Sequence, residues 1–438
     1  MNIKTAPLAA VWKGRFAQIA LRWLSGLMLI GGAVMMMPHG DLLAEGNPPP
    51  FMRGAAVMSG GWILSWALKR FPPVWFWAVA LGARLVLLPM EPGDDVWRYR
   101  WDGMVQNAGQ NPYALAPEAD ELRGLRGEVW RRVQHQSITT IYPPLTQLGF
   151  RVLEATGIGH WAFKLAYLAA DVAICVILTR WWGRRRAAAW AWNPLVIYSF
   201  AGGAHFDSWF VLALVLAWRA VRGRREPTAA SALWIGISAA VKVVSAPLLA
   251  WGALRFWREK RRRAAIGYLL LGALPVLVFL ILFSLTTRGW PRPPGEFTMV
   301  ARSAELIPAI FRGLFGPFFG INAPFGIMLL VALWPIFRKP ASFPVIAERF
   351  FVVFLAFAPM VHGWYFTWAA PFAAATRNLG FRLVGASGFI YFWLQQRVQD
   401  GGPWIQPPLE KACMWMPLLL GFAWTEWRRK RRAPNAQP

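Results

Sequence analysis

The stretch LVLLPMEPGDDVWRYRWDG, residues 85–103, runs from an apolar segment directly into a cluster of charges. The apolar part begins near residue 74, and the charged part holds three aspartates and two arginines. Apolar runs of this kind fit the interior of a bilayer, whereas ionised side chains are stable only where water or a partner meets them. The stretch therefore predicts a membrane span that ends in a charged loop at the membrane surface.

The composition predicts an all-α, polytopic integral membrane protein with about 11 to 14 transmembrane helices. Of the 438 residues 56% are hydrophobic and only 16% charged, against about 25% charged in soluble domains. The 28 tryptophans suit membrane–water interfaces, and Trp97 and Trp101 are expected to be such anchors. The expected spans are residues 18–37, 54–68, 74–90, 160–181, 187–201, 206–221, 229–241, 244–256, 264–286, 322–337, 347–361, 364–376, 382–395 and 411–427.

The net charge of +26 comes from arginines that cluster in short links between apolar segments. Examples are Arg184–Arg186, Arg255 to Arg263 and Arg428 to Arg432. Basic links of this kind mark the cytoplasmic side of a membrane protein. We therefore expect a multi-pass protein of the inner (plasma) membrane, in contact with membrane lipids and with both termini in the cytoplasm. Nucleic acid is excluded as a partner, since spans interrupt any continuous basic face.

The same topology places four segments on the extracytoplasmic face. They are residues 91–159, the tip near 204–207, residues 287–321 and the HGWY segment at 362–365. We expect one transmembrane unit over 1–438, with 91–159 as a large loop that covers an extracytoplasmic cavity. Residues 287–321, with the segment RGWPRPPGEF, form a second, Pro-rich loop.

Helical spacing places the charges of the first loop on one face. Asp95, Arg98, Tyr99 and Asp102 are separated by three, four and seven positions. Arg98 is expected to lie between carboxylates and to keep them ionised. A salt-bridged amphipathic helix on the interface is the simpler alternative. Rigid Asn-Pro and Pro-Pro turns near Tyr113, His135 and Tyr142 favour a functional loop instead.

Polar side chains also interrupt the apolar segments. His205 and Asp207 follow a GGA break, and Lys242 lies inside an apolar run where a hinge is expected. His362 and Tyr365 belong to the HGWY segment. Polar groups at such positions usually face a cavity. The alternatives are a helix cap for Asp207, a snorkelling lysine and an aromatic belt.

The ordered motifs DDVWRYRWDG, GQNPY, IYPPL, AWNPLVIYSFAGGAHFDSW and HGWYFTWAAPF cover about residues 91–371. This series resembles the GT-C superfamily of integral-membrane glycosyltransferases, and within it the bacterial polyprenol-phosphomannose-dependent mannosyltransferases. The resemblance implies a polyprenyl-phosphate-linked hexose, mannose above all, as donor and a lipid or cell-envelope glycan as acceptor. It implies an acidic base in the first external loop, with Asp95 as the better candidate and Asp94 as the second.

The residues fit an inverting single displacement. A carboxylate takes the acceptor proton, and cations balance the charge on the departing lipid phosphate. Donor contacts are expected from Arg98, Lys242, His205, Asp207, His362 and Tyr365. Loop or acceptor contacts are expected from Asp102, Tyr113, His135 and Tyr142. The residues do not identify a cofactor with certainty, and a divalent metal (Mg or Mn) held by Asp94 or Asp102 stays open.

Two other functions share these features. A transporter or flippase of lipid-linked sugars would also carry polar groups in broken helices, but the charges gather on one face and no inverted repeat is visible. A glycan polymerase or ligase would instead use a lipid-diphosphate-linked donor.

Overall fold

The computed structural model describes residues 8–224, 226–287, 289–291, 299–316 and 320–432. Within these ranges the chain is all-α, as predicted, and β pairing is limited to one isolated bridge between Ser303 and Met360. The helices in its first half are α1 (Leu8–Met36), α2 (Pro48–Ser65), α3 (Pro73–Leu87), α4 (Asp95–Asn107), α5 (Glu128–Arg131), α6 (Pro144–Ala155), α7 (His160–Trp182), α8 (Arg184–Ala191), α9 (Pro194–Ile197) and α10 (Asp207–Val221). Those in its second half are α11 (Ala229–Val241), α12 (Leu249–Arg258), α13 (Arg262–Thr287), α14 (Ile307–Phe315), α15 (Ala323–Arg338), α16 (Phe343–Phe357), α17 (Ala370–Thr376), α18 (Leu379–Ser387), α19 (Trp393–Gln399) and α20 (Pro408–Arg432).

Three of the described helical segments are long and apolar enough to cross a membrane: Gly14–His39, His160–Trp182 and Arg262–Thr287. Shorter apolar helices include α3, α11 and α15. On α13 only 22% of the apolar window is buried, and Leu285 is 73% exposed. An apolar helix with its side chains on the outside fits a lipid environment. The structure thus agrees with a membrane protein, and the count of 11 to 14 spans stays a prediction.

One expected span, residues 187–201, is broken into short pieces. Proline lacks the N–H that a continuous helix needs, so Pro194 starts a new helix after Trp192. The side chain of Asn193 caps that helix by accepting from the backbone N–H groups of Leu195 and Val196. A π-helical turn, Tyr198–Gly202, follows. Broken helices are stable in a membrane only where protein surrounds them, and these residues are buried.

The predicted hinge near Lys242 is present. Helix α11 ends at Val241, Lys242 is extended (φ −148°, ψ 110°), and a 3₁₀ segment, Val243–Leu248, leads into α12. Pro247 inside that segment prevents a continuous helix. The chain therefore presents Lys242 at the junction of two short helices.

Close packing and a buried ion pair hold the first helices together. Helices α1 and α2 meet at Gly32 and Gly54, where a Cβ on Gly32 would lie 2.6 Å from the carbonyl oxygen of Gly54. Small residues let membrane helices approach in this way. Arg84 on α3 binds Asp171 on α7 in a two-pronged salt bridge, with Nε–Oδ2 at 2.6 Å and Nη2–Oδ1 at 3.0 Å. Both side chains are fully buried.

The loop of residues 91–159 is ordered and has a small core of its own. Helix α4 packs against α6, and Trp101 joins Val105, Leu122 and Val133 in an apolar cluster. Trp97 is 6% exposed and Trp101 is 1% exposed. The expectation that both are interface anchors was wrong, because both rings are buried within the protein. The expected second loop, 287–321, lies partly outside the described residues.

Candidate active site

Asp94 and Asp95 lie where the first loop enters helix α4. The backbone N–H of Gly93 donates to the carbonyl oxygen of Gly203 (3.0 Å), which ties the start of the loop to the segment containing His205. A Cβ on Gly93 would lie 3.2 Å from that carbonyl, so glycine permits the close approach. Asp94 is the N-cap of α4, and its Oδ1 accepts from the backbone N–H of Asp95 at 3.1 Å.

Asp95 points its carboxylate at two polar side chains. Its Oδ2 lies 3.3 Å from the hydroxyl of Tyr99 and 3.5 Å from Nδ1 of His205. The side chain of Asp95 is 34% exposed, while that of His205 is only 2% exposed. Protein contacts thus hold one oxygen of the carboxylate, while about a third of the side chain remains accessible to solvent.

The two adjacent aspartates have opposite pKa shifts. Burial, together with the charge of Asp95, raises the pKa of Asp94 to about 6. Burial also raises the pKa of Asp95, but hydrogen bonding to His205 and the charges of His205, His362 and Lys242 outweigh it and hold that pKa below its usual value. Both carboxylates are therefore mostly ionised at neutral pH, and Asp94 takes up its proton well before Asp95 as the pH falls.

Aromatic stacking joins His205 to the HGWY segment. The rings of His205 and Trp364 stack with centroids 3.6 Å apart and planes 14° apart. His362 stacks on Trp364 as well, at 4.5 Å and 8°. The Nδ1 of His362 lies 2.6 Å from the hydroxyl of Tyr391. These contacts fix both imidazoles although the two segments are far apart in sequence.

A lysine–aspartate pair forms the other side of the site. The Nζ of Lys242 lies 2.7 Å from Oδ1 of Asp207, and Nε1 of Trp368 donates to the same oxygen at 2.7 Å. The ammonium lies 4.3 Å from the ring centroid of Tyr365 and 4.7 Å from that of Trp368. The other carboxylate oxygen, Oδ2 of Asp207, is buried and has no hydrogen-bond partner among the described residues. Asp207 stands in the first turn of α10, whose N-cap is Phe206, so it does not cap the helix through its side chain.

Arg98 and Asp102 form a salt bridge and also bind other residues of the first loop. Nε of Arg98 donates to Oδ1 of Asp102 (2.9 Å), and its Nη2 donates to the carbonyl oxygen of Ile138 (2.8 Å). Gln147 donates to Oδ2 of Asp102 at 2.7 Å. Arg98 was expected between the carboxylates of Asp95 and Asp102. The contact with Asp102 is present, but Asp95 bonds to Tyr99 and not to Arg98. These contacts favour a positioning role for both residues and occupy the oxygens that Asp102 would offer to a metal.

The other predicted loop residues lie around this framework. The hydroxyl of Tyr113 donates to the carbonyl oxygen of Tyr142, and the ring of Tyr142 packs on Tyr99 with centroids 5.2 Å apart. His135 stands in an exposed turn with φ 53°, and its carbonyl accepts from the N–H of Ile138. His135 thus belongs to the turn whose Ile138 carbonyl oxygen Arg98 also binds. Within the described ranges, no group of three or more His, Cys, Asp or Glu side chains could hold a metal ion.

Two features of the site were not predicted from the sequence. Lys164, fully buried on α7, donates to the carbonyl oxygens of Met90 (2.5 Å) and Gly202 (2.9 Å) and so fastens together the two segments that carry Asp95 and His205. A lysine in an apolar run was the available signal. No sequence signal indicated the contact between His362 and Tyr391, because a tyrosine is common in an apolar segment such as residues 382–395.

The fold and the site together define a helical membrane protein in which an exposed carboxylate, a paired lysine and stacked aromatic rings meet at the ends of broken helices. Such a site suits a substrate that combines a sugar with an anion. The family comparison is more specific. Residues 12–258 match the model of the MptA_B family, described as alpha-(1->6)-mannopyranosyltransferase, N-terminal domain, and the chain belongs to this family.

The family match confirms the resemblance to mannosyltransferases and identifies the chain as a glycosyltransferase. It spans Asp94, Asp95, His205, Asp207 and Lys242 but ends before the HGWY segment. Neither the comparison with curated proteins nor that with solved structures gave a match.

Proposed function

We propose that this mannosyltransferase transfers mannose from a polyprenyl-phosphate donor to a hydroxyl of a lipid or cell-envelope glycan, by a single inverting displacement. The bond that breaks joins mannose C1 to a phosphate oxygen, and the bond that forms joins C1 to the acceptor oxygen. The acceptor proton passes to a carboxylate, and the electron pair leaves with the phosphate. Since the family name specifies an α-(1→6) product, inversion calls for a β-linked donor.

The observation that carries the proposal is the geometry of Asp95. Its carboxylate is one-third exposed, held through Oδ2 by Tyr99 and His205, and ionised at neutral pH because its pKa is lowered. A general base must be both ionised and within reach of the substrate hydroxyl. Asp94 is the second candidate, since its side chain is already engaged in capping α4 and its raised pKa leaves it partly protonated in mild acid.

Lys242 is the proposed ligand of the donor phosphate. An ammonium has three N–H donors, and Asp207 accepts from Lys242 in the structure. The remaining donors can bind a phosphate oxygen and balance the charge that grows as the phosphate leaves. Because Asp207 and Trp368 fix the side chain in place, little reorganisation is needed.

The aromatic wall is proposed to bind the sugar ring. His362 and Tyr365 are half-buried rings with polar edges, and Lys242 lies 4.3 Å from the ring centroid of Tyr365. Trp364 is buried behind them, where its ring stacks on His205 and His362. Aromatic side chains with a polar handle bind ligands that are apolar on a face and polar at the rim. In this arrangement mannose lies between the base and the phosphate ligand.

The side of the membrane follows from the helices that carry the site. Helix α7 begins at His160, next to Trp97 in the first loop, and ends at Trp182, immediately before Arg184–Arg186. Its 23 residues span about 34 Å. The positive-inside rule assigns the arginine end to the cytoplasm. The site is then extracytoplasmic, in the plasma membrane, with the whole chain 1–438 acting as one unit and 91–159 covering the site.

A donor assay separates this proposal from its rivals. Purified protein in liposomes is given radiolabelled mannose on polyprenyl phosphate, on polyprenyl diphosphate, or on a nucleoside diphosphate. We expect label to enter an acceptor glycan only from the polyprenyl phosphate donor. Transfer from the diphosphate-linked donor would favour the polymerase or ligase function. Movement of donor between leaflets without transfer would favour a flippase.

A further inference from the structure

A second, positively charged cavity lies at the end of the helices opposite the candidate active site. It has a volume of about 320 Å³ and is lined by the ends of α2 and α7, by α8, α17 and α18, and by residues that follow α2 and α17. Its lining includes the side chains of Trp66, Trp182, Arg185, Arg186, Arg377 and Arg382. The cavity is far larger than the roughly 10–15 Å³ that one water needs.

No carboxylate balances these four arginines. In the part of the chain that the structure describes, none of the four makes a salt bridge, and the cavity lining contains no acidic residue. Four cations converging on one protein-walled space repel one another. That repulsion is relieved when an anion enters.

The buried donors of the cavity also lack acceptors. Nε of Arg382 and Nε1 of both Trp66 and Trp182 are inaccessible to solvent and have no hydrogen-bond partner among the described residues. Burying an N–H without an acceptor is costly. The guanidinium of Arg382 stacks on Trp66 at 4.6 Å, and that of Arg186 stacks on Trp182 at 5.1 Å. The rings therefore hold the cations in place without neutralising them.

A neighbouring cavity of about 710 Å³ shows the contrast. Its Arg429 is paired with Glu348 and Glu426, and Glu226 is part of its lining. Arg222 and Arg224 in the same lining make no salt bridge among the described residues. The first cavity differs from this one in that its lining contains no acidic residue at all.

We propose that the cavity binds the phosphate group of an anionic phospholipid. Arginine matches phosphate oxygens with pairs of parallel N–H donors, and basic pockets between membrane helices bind acidic lipid headgroups. Leu68 and Phe71, which also line the cavity, offer an apolar wall to the acyl region. The bound lipid would fasten α2, α8 and α18 together. The inference rests on this cavity alone and not on the donor, acceptor or base proposed above.

The test uses the full-length protein purified in a neutral detergent. Native mass spectrometry compares the amount of dioleoylphosphatidylglycerol that the protein retains with the amount of dioleoylphosphatidylcholine. The Tm of thermal unfolding is recorded separately with each lipid and with inorganic phosphate. The variants are Arg382→Gln and Arg185→Gln. Arg185 is exposed, so its loss leaves the packing intact. Arg263→Gln is the matched control, because Arg263 is exposed at the start of α13 and outside the cavity.

We expect the unaltered protein and Arg263→Gln to retain phosphatidylglycerol selectively and to gain Tm from it. Each cavity variant should bind it about tenfold more weakly, because a charge-assisted hydrogen bond is lost. Equal retention by Arg185→Gln, Arg382→Gln and the unaltered protein would overturn the proposal. Stabilisation by inorganic phosphate but not by phosphatidylglycerol would also overturn it, in favour of a free-anion site. Both outcomes are independent of mannosyl transfer.

Discussion

The Nδ1 atom of His205 lies 3.5 Å from the Oδ2 atom of Asp95, although the first loop and the three helices α7, α8 and α9 separate the two residues in sequence. The hydrogen bond between Gly93 and Gly203 and the two bonds donated by Lys164 fix this approach. Asp95 thereby gains a partner that favours its ionised form. These contacts between the two chain segments thus determine the surroundings of the carboxylate.

The position of His205 depends on Trp364, which stacks between it and His362. We expect Trp364→Ala to lower kcat/KM by about 10²-fold, because small displacements of catalytic groups have effects of this size. Trp364→Phe, which keeps a stacking ring, should recover a large part of the activity. The measurement is mannosyl transfer at matched amounts of folded protein. Equal losses in both variants would argue against a stacking role.

Replacing Lys242, the proposed ligand of the donor phosphate, should affect the kinetics of the donor and leave binding of the acceptor nearly unchanged. We expect Lys242→Met to reduce kcat/KM for the donor by about 10²-fold, the usual size for a lost charge-stabilising donor. The KM for the acceptor should stay close to its original value. Lys69→Met is the control, since Lys69 is an exposed lysine whose backbone N–H makes its contact. Unchanged donor kinetics in Lys242→Met would reject the assignment.

The pH dependence of transfer distinguishes the two aspartates. A base acts when ionised, so activity is present above its pKa and is lost as pH falls through that value. Because the pKa of Asp95 is lowered, we expect kcat/KM to stay nearly constant from neutral pH down to about pH 5. An acid limb near 6, the pKa of Asp94, together with loss of transfer at all pH values in a folded Asp94→Asn variant, would assign the role of base to Asp94.

The salt bridge between Arg84 and Asp171 should matter for stability and not for chemistry. Arg84→Ala leaves the carboxylate of Asp171 buried without its cation, and such losses cost about 3–5 kcal/mol. We expect a clearly lower Tm for the single variant and a smaller decrease for the double variant Arg84→Leu with Asp171→Leu. Thermal unfolding in detergent measures both. A double variant as unstable as the single one would show that the charge imbalance is not the cause.

Local features of the fold could be predicted from sequence. The hinge at Lys242 follows from the topology, because cytoplasmic basic clusters on both sides require residues 229–256 to form two short segments. The helix α4 follows from the helical spacing of the charges in residues 95–102. The single expected span over 187–201 was wrong because proline and the Asn193 cap restart the helix there. Such breaks depend on buried surroundings that periodicity does not reveal.

The partners of the site residues could not be predicted in the same way. Asp207 and Trp368 share a hydrogen bond across 161 positions, and Trp364 reaches His205 across a similar separation. Arg98 was expected between Asp95 and Asp102. Asp102 does bind it, but the other partner is the carbonyl oxygen of Ile138 and not Asp95. Spacing on one helix limits which neighbours are possible, whereas tertiary packing selects among them.

The central claim is that Asp95 takes the acceptor proton. Its most direct test is mannosyl transfer from polyprenyl-phosphate mannose by Asp95→Asn, compared at matched folded amounts with the unaltered protein and with Asp120→Asn. Asp120 belongs to the same loop, and its side chain is 81% exposed. We expect Asp95→Asn to lose about 10²- to 10⁴-fold in rate, the contribution of a general base, while Asp120→Asn keeps full activity. Full transfer by a folded Asp95→Asn variant would contradict the account.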